Sequence, residues 1–155
     1  MKTKTISLML VILLVLATGA AYWYSELRQP HINCNGRVVW EVNDEMFKGD
    51  LDFQMQGGEG VVIVTGELVM HNDAHYKVSR IAYFTYQNVR DNYILHTNKL
   101  VRFPTDELLQ TAGIRAMPPI YLTDDTTFSL VIKSWKEGWA FSTIGAPSLL
   151  CSDEE

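Results

Sequence analysis

From position 34 onward the sequence is written largely in period two. In "CNGRVVWEV", Val38, Trp40 and Val42 share one face while Arg37, Val39 and Glu41 share the other. In "DLDFQMQ", Leu51, Phe53 and Met55 alternate with Asp52, Gln54 and Gln56. Successive side chains of a strand point to opposite faces, so this alternation marks half-buried strands. "VVIVTGELVM" is apolar on both faces at its start, which reads as a central strand. "HYKVSRIAYFTYQ", "YILHTNKLVRF", "TTFSLVIKSW" and "WAFSTI" bring the expected strands to seven. Between the strands stand turn-formers: "GGEG", "HNDA", "NVRDN" and "KEG". Strands joined by tight turns are antiparallel neighbours. The predicted fold is therefore all-β with one short helix, an antiparallel meander forming a small barrel or sandwich, preceded by one N-terminal transmembrane helix. The short helix is expected in "TDELLQTAGI". There Thr105 can cap, Asp106 and Glu107 suit the positive dipole end, and Gly113 stops it before Pro118 and Pro119.

Residues 5–25 contain no charged side chain. Such a stretch is close to the ~20 residues a helix needs to cross a hydrocarbon core. Two readings compete. The aliphatic run 6–16 followed by Ala17, Gly19, Ala20 and Ala21 fits a signal peptide with a small-residue cleavage site. Against cleavage, Tyr22, Trp23 and Tyr24 match the aromatic belt at a membrane interface, and Lys2 and Lys4 hold the N-terminus in the cytoplasm. The retained anchor accounts for more residues. It divides the chain into a cytoplasmic tip (1–5), a transmembrane anchor (6–24), a tether (25–33) and an exported β domain (34–155).

Cys34 and Cys151 bracket nearly all of that domain. Behind an export signal they read as a disulfide; in a reducing compartment they would be two unpaired thiols. The domain is also acidic. Apart from Lys2 and Lys4, eleven Lys and Arg stand against eighteen Asp and Glu, a balance of −7. With no basic cluster, that surface repels phosphate backbones, so nucleic acid is not an expected partner.

Catalytic and cofactor signatures are missing: no G-x-S-x-G, H-E-x-x-H, Walker loop or C-x-x-C occurs. "HNDAH" places His71, Asp73 and His75 close together, but a turn at Asn72 and Asp73 explains every residue while a metal explains two or three. The chain is thus read as no enzyme and as needing no cofactor or metal. Arg80 interrupts the apolar face formed by Tyr76, Val78, Ala82, Phe84 and Tyr86. It reads as a snorkelling edge residue, or else as a buried cation set to meet an anion. Tyr83, Phe84, Tyr86 and Tyr93, with Arg80, form the candidate ligand or partner surface; core packing is the plainer role for such aromatics.

With the anchor, the meander, the early cysteine and a final "P-x-L-L-C" at 147–151, the chain resembles the FidL-like family of small bacterial inner-membrane proteins. More distantly it resembles ToxS-type proteins, through "DNYIL" at 91–95, "TDELL" at 105–109 and the Lys136-Glu137-Gly138 turn. These likenesses imply a single-pass protein of the bacterial inner membrane with a periplasmic C-terminal domain. They also imply an accessory role, in which the domain binds and modulates a membrane-tethered winged-helix transcription regulator. The alternative is a lipocalin-like domain that binds an amphiphilic small molecule on its own.

Overall fold

The computed structural model describes residues 2–26, 31–90, 92–109, 113–143 and 146–153, with side-chain surroundings for all of these but 2–8, 25, 26, 146–148 and 153. The chain forms two compact units, Met1–Pro30 and His31–Glu155. The first is a helix, α1 (Lys2–Glu26). At 1.5 Å per residue its length is about 37 Å. Its described side chains, 9–24, are exposed all round, and Tyr22, Trp23 and Tyr24 lie near its C-terminal end. Among the described residues no helix is long and apolar enough to cross a membrane.

The second unit is a closed barrel of eight strands in chain order, each antiparallel to the next. They are β1 (Ile32–Val42), β2 (Glu45–Gln56), β3 (Glu59–Val69), β4 (His75–Val89), β5 (Asn92–Arg102), β6 (Thr126–Trp135), β7 (Gly138–Thr143) and β8 (Ala146–Asp153). The alternation read from sequence holds: Val38, Trp40, Leu51, Phe53 and Met55 all face the buried interior. The hairpins use the left-handed conformations that two-residue turns require. Asn43 and Asp44 link β1 to β2 at φ 51 and 64, and Gly57 and Gly58 link β2 to β3 at φ 60 and 86.

The observed fold corrects three sequence expectations. The strands number eight, because β8 completes the wall with Leu149 and Cys151 facing in and Leu150 facing out. β1 begins at Ile32, so Ile32 and Asn33 belong to the barrel and not to the tether. The helix expected at 105–114 is also not seen among its described residues, 105–109, 113 and 114, which are non-helical, while 110–112 lie outside the described residues; the connection carries a 3-10 turn, Pro119–Tyr121.

The reason lies in β4, which overshoots β5. Their ladder ends where Arg80 meets Arg102. Beyond it the N–H groups of Lys77 and Ser79 would face no strand. Glu107 accepts the first through its carboxylate at 2.9 Å, and Asp106 accepts the second at 2.9 Å. The Glu107 N–H in turn donates to Lys77 O at 2.8 Å. The two acids thus extend a sheet and do not start a helix.

The interior is tight enough to need glycine. Gly49 and Gly66 face each other across β2 and β3. A Cβ on Gly49 would come within 2.3 Å of Thr65 O and 2.7 Å of the Phe47 ring, so this missing side chain gives Phe47 its seat.

Candidate functional site

Residues 103–125 connect β5 to β6 and bury Leu108, Ala116, Met117, Ile120, Tyr121 and Leu122 in the core of the barrel. Polar ties fix this connection to the strands. The Glu45 carboxylate accepts the N–H of Arg115 at 2.7 Å, Asp124 accepts that of Leu100, and the Thr97 hydroxyl donates to Ile120 O at 3.2 Å.

Arg80 lies at the centre of these ties. Its side chain is fully buried, which overturns the snorkelling reading. Nε donates to Asp106 Oδ2 at 2.8 Å and Nη2 to Oδ1 at 2.7 Å, a bidentate pair whose carboxylate is equally buried. Nη2 also donates to Leu108 O at 3.0 Å, and Nη1 to Tyr121 O at 3.1 Å. A guanidinium has five N–H groups, and these contacts occupy four. Arg80 therefore meets its anion inside the protein. It is committed to holding the 103–125 connection and has little left to offer an external ligand.

The other residues of the expected surface separate by parity. Phe84, Tyr86 and Tyr93 are buried in the barrel, and the rings of Tyr86 and Tyr93 pack 5.9 Å apart. Tyr83 alone of the group faces out, 44 % exposed. The five residues do not form one surface.

Aromatic rings pack the interior around Trp40 and Phe53. Trp40 stacks on Tyr121 at 5.8 Å, while Phe53 packs against Phe141 at 4.8 Å. Beside them lies a cavity of about 20 Å³, lined in part by Trp40, Tyr121 and Phe128. That is room for roughly one water, whereas ligand pockets begin at about 300 Å³. Burial pushes the Tyr121 hydroxyl far above its ordinary pKa. Among the described residues, Trp40 Nε1 is the buried side-chain polar atom without a hydrogen-bond partner.

Cys34 and Cys151 form the expected disulfide, with Cα atoms 5.4 Å apart. Its position in the barrel explains its use. β1 aligns with β2 along its whole length, but the described alignment of β1 with β8 pairs only Cys34 with Asp153 and Asn35 with Ser152. The bond clamps the seam at which the barrel closes.

"HNDAH" forms a turn. Asp73 takes φ 58, and Asn72 Oδ1 accepts the Ala74 N–H. His71 pairs with Asp44 and His75 with Glu67, on separate carboxylates. No group of three or more His, Cys, Asp or Glu able to hold a metal occurs among the described residues.

Sequence reasoning missed Asp106, Trp40 and Tyr121 as a connected set. One signal for Asp106 was available: a cation on an apolar strand face calls for a carboxylate elsewhere.

The model of one family, the YqeJ C-terminal domain, matches residues 31–151, the span of the barrel up to its second cysteine. Neither a curated protein nor a solved structure matches the chain. The match names neither the FidL-like nor the ToxS-type family. The chain belongs to the YqeJ C-terminal domain family.

Proposed function

We propose that this member of the YqeJ C-terminal domain family is an anchored periplasmic accessory protein, which binds and modulates a membrane-tethered winged-helix regulator through the outside of its barrel. The observation that carries the reading is the close packing around Trp40 and Tyr121 together with the internal commitment of Arg80. With only about 20 Å³ in the cavity beside Trp40 and Tyr121 and four of the five N–H groups of Arg80 taken by Asp106, Leu108 and Tyr121, the working surface of the domain is its exterior. The uncharged stretch 5–25 and the aromatic triplet Tyr22, Trp23 and Tyr24 support an anchor in the bacterial inner membrane. The disulfide suits an oxidising compartment. The likeness to FidL-like and ToxS-type proteins supports the choice of partner.

Crosslinking in intact membranes tests the proposal. A winged-helix regulator among the adducts is the expected result, and recovery of unrelated envelope proteins alone counts against it. The alternative, a stand-alone binder of amphiphiles, requires the barrel to open. Bile salts or fluorescent lipids that shift the tryptophan emission of the intact chain would favour it instead.

A further inference from the structure

The outer wall of a closed barrel in water should carry polar side chains, because alternate residues of every strand face solvent. One region of this wall does not. Arg80 and Ala82 point inward and are fully buried, so Ile81 between them and Tyr83 beyond point outward. Ile63 of β3 stands opposite Ile81, and Val61 stands opposite Tyr83. On the other side of β4, Val101 of β5 is also opposite Ile81. Phe103 follows one position past the ladder, its N–H donating to Ser79 O at 2.9 Å. Val61, Ile63, Ile81 and Val101 are half-buried; Tyr83 and Phe103 are 44 % and 39 % exposed. Single exposed apolar residues need no explanation, but a contiguous island three strands wide does. "VVIVTGELVM" looked central because of this island. In a closed barrel every strand is central, so strand position alone does not account for the outward Val61 and Ile63.

The rim of the island carries charge. Asp52 lies opposite Ile63 and Asp50 opposite Thr65 on the β2 side, with Lys99 opposite Tyr83 on the β5 side. Arg37 neutralises Asp50. Asp52 accepts a hydrogen bond from the uncharged Asn35 amide and has no cation paired with it among the described residues. Over residues 31–155, ten Lys and Arg face seventeen Asp and Glu, a balance of −7. A basic segment is drawn to such a field, and an anionic lipid surface is repelled.

We propose that this wall of β3, β4 and β5 is the docking face for a protein partner that presents an apolar ridge bordered by Lys or Arg. At strand spacings of ~4.8 Å and ~6.8 Å between like-facing residues, the island spans on the order of 10 Å by 14 Å. A stable dimer needs about 800 Å² from each partner, and two convex walls meet over less than their full width. A second copy would also bring the same acidic rim and the same balance of −7, and is therefore a poor occupant. A small interface suffices when both partners are fixed in one membrane, because tethering supplies an effective concentration in the millimolar range. This last step rests on the anchored reading above; the face itself rests on the barrel alone.

The test uses the full chain in its own membrane, with a benzophenone amino acid replacing Tyr83 in one variant and Ser129, on the wall of β6, in another. The expected adduct forms at position 83 and not at 129. Its partner peptide is apolar with flanking Lys or Arg and belongs to a membrane-tethered protein, and adding Asp52→Lys reduces its yield at least five-fold. Melting of the Asp52→Lys chain should stay within a few degrees of the parent, as expected of a surface change. An adduct with a second copy, adducts with lipid alone, or no adduct at position 83 overturns the proposal. A winged-helix regulator captured at 129 and not at 83 overturns the face while leaving the proposed function standing. The expected adduct formed with a tethered protein of another kind keeps the face and removes the regulator.

Discussion

Replacing Asp106 by Ala tests whether the buried pair holds the 103–125 connection in place. The variant removes both carboxylate contacts of Arg80, at 2.7 and 2.8 Å, and strands a guanidinium whose side chain has no exposed surface. It also takes the acceptor from the N–H groups of Ser79 and Leu108. Breaking a buried pair by removing one partner costs about 3–5 kcal/mol, most of it the desolvated charge left behind. Against a total stability of about 5–15 kcal/mol, that is a large fraction. At about 3–5 °C per kcal/mol for a domain of this size, the melting temperature should fall by about 10–20 °C. The assay is urea and thermal unfolding of the oxidised barrel unit, His31–Glu155, followed by tryptophan emission and far-ultraviolet circular dichroism. Arg80→Met completes a double-mutant cycle with Asp106→Asn, and the pair should couple by more than about 1.5 kcal/mol. A loss below about 1 kcal/mol for Asp106→Ala, or additive single variants, would refute the argument. Either result would mean that water reaches the Arg80 head.

Three further outcomes follow from the same packing. Reducing the disulfide, or replacing both cysteines by Ala, should cost up to about 4.7 kcal/mol on the chain-entropy account of so long a loop. Hydrogen exchange should then lose protection first along β8 and the facing edge of β1, where the described ladder is shortest. Gly49→Ala should destabilise more than Gly57→Ala: the first drives a Cβ to 2.3 Å from Thr65 O, while the second meets open space and carries only backbone strain at φ 60. Denaturation midpoints of the two variants decide this. Tyr121 keeps its proton in the folded barrel well past the point where an unfolded tyrosine ionises, near pH 10. Folding stability from this group is complete below that pH and is lost as the pH rises beyond it. Absorbance titration should show Tyr121→Phe removing one late, unfolding-linked ionisation.

The parts of the fold legible in the sequence were those set by local rules. Alternation placed Trp40, Phe53 and Met55 inside, and paired glycines placed the Gly57–Gly58 turn. What escaped depended on closure. β8 reads weakly because it is short, carries Pro147 and shows little alternation before Leu149. It becomes a strand because β1 and β7 each present an edge to it. Arg80 illustrates the same limit. Its inward parity was plain, but snorkelling presumes a nearby sheet edge that leads to water, and a barrel has none. Asp106 then looked like a helix start because Thr105 precedes it and Glu107 follows. That local signal lost to two unpaired strand N–H groups and a buried cation 26 positions earlier in the chain.

The buried pair and the apolar island are two consequences of one strand. Along β4 the inward positions carry Val78, Arg80, Ala82, Phe84 and Tyr86, and the outward ones Ser79, Ile81 and Tyr83. A barrel designed only for stability would place the cation outside and the isoleucine inside, since buried ion pairs rarely stabilise more than apolar packing does. Here the two sit reversed at adjacent positions. The inward Arg80 fixes the 103–125 connection through Asp106, and that same connection carries Phe103 to the rim of the outward island. Stability forgone at position 80 therefore goes into holding one patch of wall in a defined shape. On this account Asp106→Ala should weaken crosslinking at position 83 even at temperatures where the barrel remains folded, while the disulfide, on the seam between β1 and β8, should affect crosslinking only through stability.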